Sequence, residues 1–198
     1  MPATPIYFLR HGQTDWNVAA LLQGQTDTSI NDTGRAQART NAARLAKALA
    51  AAGHDPHDFD YVASPLWRAC ETMEIVRRGL GLEAAGYRTD KRLTEIAFGA
   101  WEGRSFPQIK IDDPQAHRRR RADKWSYQPP GGESYAMLSE RVRAWFVEIA
   151  RPSIVVAHGG VSRVLRGHID GLSPAETMLL DVPQDRVLAI GSDGYSWI

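Results

Sequence analysis

The sequence predicts an α/β fold, namely a three-layer α/β/α sandwich around a mainly parallel central sheet. Short apolar runs alternate along the 198 residues with longer stretches of helical spacing. Several runs are rich in β-branched residues, as in strands buried on both faces. Polar residues follow directly after some of these runs, at the strand ends where parallel sheets collect ligands. The length, with 43% hydrophobic and 24% charged residues, fits one domain over residues 1–198.

The predicted strands come from apolar runs bounded by turn-forming residues. They are expected at residues 6–9, 61–63, 154–157, 187–190 and 195–198. The first run ends in Arg10 and His11, and the third ends in His158. Since carboxyl ends of parallel strands share one edge of a sheet, these polar side chains should lie close together.

The predicted helices lie between the strands. They are expected at residues 35–52, 65–80, 138–149 and 161–165, with a short one opening at 173–176. The first is alanine-rich and ends at Gly53. Ser64 and Pro65 predict an N-cap and a first helical position for the second. Cys70 lies on the apolar stripe of that helix, where a small buried side chain is expected.

Composition and charge exclude several classes of protein. Twenty-four Lys and Arg against twenty-three Asp and Glu leave a formal charge of +1, so nothing favours a nucleic-acid or membrane partner. A single cysteine excludes a disulfide-stapled secreted scaffold. The opening apolar run is too short for a signal peptide, and no run approaches the roughly 20 residues of a membrane helix. A cytoplasmic protein is expected, and a homodimer is plausible from the general frequency of symmetric dimers.

Four separated sequence blocks carry the chemistry. They are Arg-His-Gly-Gln-Thr-Asp-Trp-Asn at 10–17, Ser-Pro-Leu-Trp-Arg-Ala at 64–69, Leu-Thr-Glu at 93–95 and Ala-His-Gly-Gly at 157–160. In this order they resemble the histidine phosphatase superfamily, the phosphoglycerate-mutase-like proteins. The resemblance runs from residue 6 to about 166. A lone Arg-His-Gly triplet would be weak evidence for this family. Four blocks that follow one another in the family's order are a specific match.

The resemblance implies a role for each matching residue. His11 would be the nucleophile that forms a phosphohistidine, and Glu95 would protonate the leaving oxygen and then activate water. Arg10 and Arg68 have planar forks that match phosphate oxygens, and His158 would be a third donor. Further phosphate contacts are expected from Asn17, Gln23 and the backbone N–H of Gly159. No metal and no cofactor are expected.

Residues after Glu95 favour a phosphatase over a mutase. Ile96 and Ala97 stand where cofactor-dependent mutases typically have an Arg-His pair, and the chain lacks their longer insertion. The prediction is therefore a metal-independent phosphomonoester hydrolase acting on small phosphorylated metabolites. A cofactor-dependent phosphoglycerate mutase is the alternative. A catalytically silent phosphate- or partner-binding protein is disfavoured, because every residue of the expected catalytic set is present.

Residues 105–130 are a candidate cap or insertion and include the basic run 118–121. A solvated helix face is the simpler interpretation of this run. The alternative is a cap over the active site that recognises anionic parts of a substrate. Thr14 and Ser64 are left out of the site, since turn hydrogen bonding and helix capping explain them as well.

Overall fold

The computed structural model describes residues 4–192 and 194–198, which contain one six-stranded sheet in the order β3-β2-β4-β1-β5-β6. The strands are β1 (Ile6–Arg10), β2 (Asp60–Ala63), β3 (Arg88–Thr89), β4 (Ser153–Ala157), β5 (Val187–Gly191) and β6 (Gly194–Trp197). β1 to β4 run parallel, whereas β5 is antiparallel to β1 and β6 to β5. The predicted mainly parallel sheet is confirmed. Sequence analysis missed β3, because its two residues are exposed and polar.

Eight α-helices lie in the described part of the chain. They are α1 (Asp15–Val18), α2 (Asp32–Ala51), α3 (Trp67–Gly79), α4 (Phe106–Asp112), α5 (Pro114–Ala122), α6 (Tyr135–Phe146), α7 (Gly159–Asp170) and α8 (Pro174–Thr177). Short 3₁₀ turns lie at Pro56–Asp58, Lys91–Leu93 and Gly99–Trp101. Within the described residues, no helix combines the length and apolar character needed to cross a bilayer.

The two faces of the sheet are buried in separate apolar cores. Along β1, Ile6 and Phe8 belong to one core while Tyr7 and Leu9 belong to the other, as the two-residue period of a strand requires. Helices α6 and α7 cover the first face, and α2 and α3 cover the second. This arrangement is the predicted α/β/α sandwich.

Helix α3 begins two residues later than predicted. Its N-cap is Leu66, which makes no side-chain capping bond, and Trp67 is the first helical residue. Ser64 instead continues the pairing of β2, because its N–H donates to the carbonyl of Val156 at 2.9 Å. The expectation that Ser64 caps this helix is therefore wrong, and its hydroxyl has another partner, described below.

The loop after β1 is packed backbone against backbone on the start of α2. A Cβ on Gly12 would overlap the carbonyl group of Gly34, and a Cβ on Gly34 would overlap the backbone of Gln13. The N–H of Gly12 also donates to the hydroxyl of Thr72, at 3.1 Å. Only glycine fits at positions 12 and 34, and the segment that carries His11 is held from two sides.

Residues 105–130 contain α4 and α5, which pack on each other and on a small third apolar cluster. Ser105 caps α4 with a capping box, and Asp113 caps α5. Within the basic run, Arg118, Arg119 and Arg121 are exposed, as a solvated helix face requires. Arg120 is partly buried and lies over the ring of Phe106 at 4.2 Å.

Candidate active site

The carboxyl ends of three parallel strands bring the predicted site together. β1 and β4 are adjacent, and the N–H of His11 donates to the carbonyl of Ala157 at 2.9 Å. The side chains that follow these two strands therefore meet, and the imidazole rings of His11 and His158 lie 5.1 Å apart, centre to centre. β2 pairs with the other side of β4 and places Ser64 beside them.

His11 is buried and held in one tautomer. Its Nδ1 lies 2.8 Å from the carbonyl oxygen of Gly12. Since a carbonyl can only accept, Nδ1 carries the proton and Nε2 has a lone pair. Burial, followed by the charges of Arg10 and Arg68, holds the pKa of His11 well below its ordinary value. The imidazole is therefore neutral near pH 7, which a nucleophile requires.

His158 is fully buried, and its Nε2 lies 2.7 Å from the hydroxyl of Ser64. Burial first, then Arg68 and His11, hold the pKa of His158 well below its ordinary value. Its Nδ1 is buried and has no hydrogen-bond partner among the residues that the structure describes. Sequence reasoning missed this role of Ser64; the only signal was its position just after a strand.

Arg68 is fully buried, and loop carbonyls hold both ends of its fork. Nη1 donates to Thr26 at 2.9 Å and Nη2 to Gly24 at 2.7 Å. Arg10 is held similarly, since its Nη1 donates to the carbonyl of Val182. The Nε atom of each arginine is buried without a partner in the described part of the chain. The two guanidinium groups are thus positioned, with donors left over for an anion.

Glu95 reaches the same site from the segment before Gly99. Both of its carboxylate oxygens lie 3.1 Å from the N–H of Gly160, in the first turn of α7, and Oε1 also accepts from Ile96 at 2.9 Å. A Cβ on Gly160 would overlap this carboxylate. A side chain at position 160 would therefore displace the Glu95 carboxylate from the first turn of α7. Burial lowers the pKa of Arg68, and the charge of Glu95 opposes this shift.

Arg141, on α6, clamps the backbone that carries Glu95. Its Nη1 donates to the carbonyls of Arg92 and Thr94, both at 2.7 Å, and its Nη2 donates to the carbonyl of Glu95 at 3.0 Å. The same guanidinium is paired with Glu133 at 2.9 Å. Sequence reasoning missed this clamp, because its partners lie more than forty residues away along the chain.

Asn17 is connected to His11 through Gln184. The side-chain oxygen of Asn17 accepts from the N–H of Thr14 at 3.1 Å and from the amide of Gln184 at 3.2 Å. The same Gln184 nitrogen donates to the carbonyl of His11 at 3.0 Å. Asn17 therefore uses its oxygen to organise the loop, and its amide N–H groups are the ones that a phosphate oxygen could accept from.

Gln23 and Gly159 also lie beside the predicted site. Gln23 is 8% exposed, and its side-chain oxygen accepts from Thr28 at 2.9 Å, in the loop that holds Arg68. Gly159 opens α7, and a Cβ built there would lie 3.4 Å from the Nε of Arg10. Phosphate binding by these two residues and by Asn17 stays a prediction.

Glu102 organises the loop that grips Arg68. Its Oε1 accepts from the N–H groups of Gln25 and Phe98, both at 3.0 Å. Its Oε2 accepts from the N–H and hydroxyl of Thr26, at 2.9 and 2.6 Å. Sequence reasoning gave this residue no role. Four donors from two segments converge on one carboxylate, so Glu102 positions Arg68 through the carbonyls of the loop.

We expect Glu102→Gln to lower both kcat/KM and the melting temperature. One carboxylate oxygen becomes an NH₂ group that faces N–H donors, which costs about 1–3 kcal/mol. At about 2–4 °C per kcal/mol for a chain of this size, Tm should fall by roughly 2–12 °C. Thermal denaturation and steady-state kinetics measure both effects. Glu140→Gln is the matched control, since that carboxylate is 70% exposed. Unchanged stability and activity in Glu102→Gln would contradict the positioning role.

Fold and site together define an α/β protein in which two histidines and two arginines with unpaired donors form a cluster that matches an anion such as phosphate. A sequence model of the histidine phosphatase superfamily (branch 1) matches residues 6–198. The chain therefore belongs to the histidine phosphatase superfamily, as its four sequence blocks predict.

Relatives include both phosphatases and mutases. The chain is 35% identical over 211 residues to glucosyl-3-phosphoglycerate phosphatase from Mycobacterium tuberculosis, covering 100% of this chain and 85% of the relative. It is 33% identical to the 2,3-bisphosphoglycerate-dependent phosphoglycerate mutase of Azorhizobium caulinodans, covering 87% and 84%. The structure of a mycobacterial glucosyl-3-phosphoglycerate phosphatase with VO3 superposes with a TM-score of 0.79 at 30% identity, covering 99% of this chain and 98% of that one.

These comparisons confirm the predicted class of enzyme, a phosphomonoesterase of the phosphoglycerate mutase family. The alternative that the sequence left open, a mutase, also has relatives at similar identity. The choice between the two rests on the residues around Glu95.

Proposed function

We propose that this chain hydrolyses small phosphomonoesters through a phosphohistidine at His11, without a metal ion. The observation that carries the proposal is the state of His11: neutral, with its Nε2 lone pair fixed by the bond from Nδ1 to Gly12 and with two arginines beside it. Phosphoryl transfer depends mainly on positioning and on stabilising charge around the phosphoryl oxygens. Arg10, Arg68 and His158 are the groups that supply this stabilisation.

In the first step, Nε2 of His11 attacks phosphorus while the bond between phosphorus and the ester oxygen breaks. Glu95 gives its proton to the departing oxygen, which leaves as the alcohol, and becomes a carboxylate. The free Nε donors of Arg10 and Arg68 bind the phosphoryl oxygens. Nδ1–H of His158 is a further donor, because the Ser64 hydroxyl can donate to Nε2 and hold the neutral ring in that tautomer.

In the second step, the Glu95 carboxylate takes a proton from water as the water oxygen attacks the phosphohistidine. The bond between nitrogen and phosphorus breaks, inorganic phosphate forms, and His11 is released neutral. Glu95 is protonated again and ready for the next ester. One carboxyl group therefore serves both steps, as in other covalent two-step hydrolyses.

Hydrolysis rather than mutase chemistry is supported by the two residues after Glu95. Ile96 is 3% exposed and packs in the core against α6 and α7. The N–H and carbonyl of Ala97 are both bonded to Glu133. Neither position offers a cation to hold a substrate carboxylate while the phosphoryl group returns to a second hydroxyl. From the names of the phosphatase relatives we propose a phosphorylated sugar or hydroxy acid as the substrate. We also propose a cytoplasmic location, because the chain has a single cysteine, Cys70.

The test is phosphate release over a panel of phosphomonoesters in a metal chelator, beside a coupled mutase assay with 2,3-bisphosphoglycerate and 3-phosphoglycerate. We expect phosphate release in chelator with no isomerisation. Isomerisation faster than phosphate release would identify a mutase. It would also contradict the argument that Ile96 and Ala97 indicate a phosphatase. Loss of phosphate release in chelator, restored by a divalent cation, would overturn metal independence.

A further inference from the structure

The irregular segment 180–185, between α8 and β5, is held beside the candidate active site by its backbone carbonyls. The carbonyl of Val182 accepts from Nη1 of Arg10 at 2.5 Å. The carbonyl of Gln184 accepts from the side-chain amide of Asn41, on α2, at 2.9 Å. Arginines on α2 and α7 donate to three further carbonyls, those of Leu180, Asp181 and Asp185. A segment that is neither helix nor strand is thus fixed along most of its length.

The side-chain amide of Gln184 reaches from this segment to the loop after β1. Its Nε2 lies 3.0 Å from the carbonyl oxygen of His11 and 3.2 Å from the Oδ1 atom of Asn17. The orientation of both amides follows from the backbone N–H of Thr14, which can only donate. The Asn17 atom 3.1 Å from that N–H is therefore the oxygen. The Gln184 atom that contacts two oxygens is then the NH₂ group, whose two hydrogens serve both bonds.

These two bonds from Gln184 fix two features of the loop. The peptide unit between His11 and Gly12 is held at both ends, because Gln184 bonds its carbonyl and the Thr72 hydroxyl bonds its N–H at 3.1 Å. The Asn17 oxygen is held by two donors, so the NH₂ group of that amide is turned away from them. The direction of the nucleophile's backbone and that of one expected phosphate donor therefore depend on the same side chain.

We propose that Gln184 is a positioning residue for phosphoryl transfer, which acts through His11 and Asn17 and sets the geometry in which they meet a phosphate. This inference rests on the proposed phosphatase function and deepens it. Val182, two residues earlier, holds one end of the Arg10 guanidinium and leaves its buried Nε without a partner among the described residues. One irregular segment thus aligns the nucleophile and two expected phosphate donors before substrate binds.

Gln184→Met tests this role, because methionine has a side chain of similar length without a hydrogen-bond donor. We expect kcat/KM for 4-nitrophenyl phosphate to fall by about 10- to 100-fold, as when reacting groups lose their alignment. Affinity for inorganic phosphate, measured by calorimetry, should fall by about 5- to 10-fold. Gln184→Glu keeps the shape but presents a carboxylate to two oxygens at pH 7, so its losses should be at least as large.

Asp185→Asn is the control, since Asp185 is an exposed neighbour on the same segment. It should match the wild type in both measurements, because screening in about 0.15 M salt suppresses the effect of a distant surface charge. Thermal denaturation establishes that every variant is folded at the assay temperature. Wild-type values in Gln184→Met, or equal losses in Asp185→Asn, would overturn the positioning role.

A double-variant cycle with Asn17→Ala distinguishes positioning from a general structural effect. If Gln184 acts through Asn17, Gln184→Met should weaken phosphate binding less in Asn17→Ala than in the wild type. The combined loss of affinity should then fall short of the product of the two single losses by at least about threefold. Losses that simply multiply would show that Gln184 does not act through Asn17 and would overturn the proposal.

The phosphate titration needs no turnover, so it separates failure of this inference from failure of the proposed function. If the wild type binds phosphate but hydrolyses no ester, and Gln184→Met still weakens that binding, only the phosphatase function is overturned. An unchanged phosphate affinity in Gln184→Met would overturn the positioning role, whatever the hydrolysis assays show.

Discussion

Replacing His11 by alanine is expected to lower kcat for phosphomonoester hydrolysis by about 10⁴-fold or more, the range found when a covalent nucleophile is removed. The reason is that no other side chain presents a fixed lone pair to the phosphoryl group in the proposed mechanism. The measurement is steady-state phosphate release, together with trapping of acid-labile ³²P on the protein from labelled substrate. The wild type should carry this label and His11→Ala should not.

His57→Ala is the control for this variant, since His57 is exposed and lies in a 3₁₀ turn at the other end of β2. It should retain both activity and label. Hydrolysis by His11→Ala at the rate of the wild type would disprove the covalent mechanism. Because Arg10 and Arg68 are intact in His11→Ala, this variant should still bind inorganic phosphate.

The pKa of His11 adds a pH dependence with a defined sign. Protonation would remove the lone pair, and burial with the two arginines lowers the pKa of this residue well below 6.5. The neutral fraction is therefore complete above pH 6.5 and is lost only as the pH falls through the lowered value. After correction for ionisation of the substrate, kcat/KM for an aryl phosphate, which needs little protonation of its departing oxygen, should stay level between about pH 7 and 6. An acid limb centred near the ordinary histidine pKa of about 6.5 would contradict a buried neutral nucleophile.

Glu95→Gln should have the second largest effect, and the effect should depend on the leaving group. An alkyl phosphate such as glycerol 3-phosphate needs a proton on its departing oxygen, so its turnover should fall by about 10²- to 10⁴-fold. An aryl phosphate such as 4-nitrophenyl phosphate needs little protonation, and its first step should be much less affected. The amide cannot activate water for the second step, so 4-nitrophenol should appear as a burst while phosphohistidine accumulates.

Rapid-quench kinetics with both esters measure these effects, and Glu83→Gln, at an exposed position, is the control. A loss of equal size for both esters, without a burst, would remove Glu95 from the acid role. Its carboxylate would then act only in holding the N-terminal turn of α7, through the N–H of Gly160.

The convergence of the site residues at the ends of β1 and β4 could be predicted from the sequence, because it follows from local hydrophobic patterns and from the geometry of parallel sheets. Arg10, His11 and His158 each stand directly after an apolar run, and such runs pair in the interior of a parallel sheet. Glu95 could not be placed by these rules, since it lies in an irregular segment. Only the family resemblance indicated it, and the clamp from Arg141 shows what holds it there.

The parts that sequence reasoning missed depend on single long-range contacts. The local sequence around Ser64 predicts a helix cap, but the Ser64 hydroxyl contacts His158, ninety-four positions away along the chain. Glu102 stands in a glycine-flanked turn with no periodic pattern around it, and three of its four donors belong to Gln25 and Thr26, more than seventy positions away along the chain. β3 has too few residues, both exposed, to produce a pattern. Such contacts are set by tertiary packing rather than by local propensity.

The close approach of Gly12 and Gly34 has a consequence for how substrates are accommodated. The backbone after β1 cannot shift towards α2, because no space is left between them, and Thr72 holds it from α3. The nucleophile therefore has its final geometry before any ester arrives, and little free energy is spent on reorganising it during the reaction. Adjustment to substrates of different size is then expected from residues 105–130, where α4 and α5 pack on a core of their own.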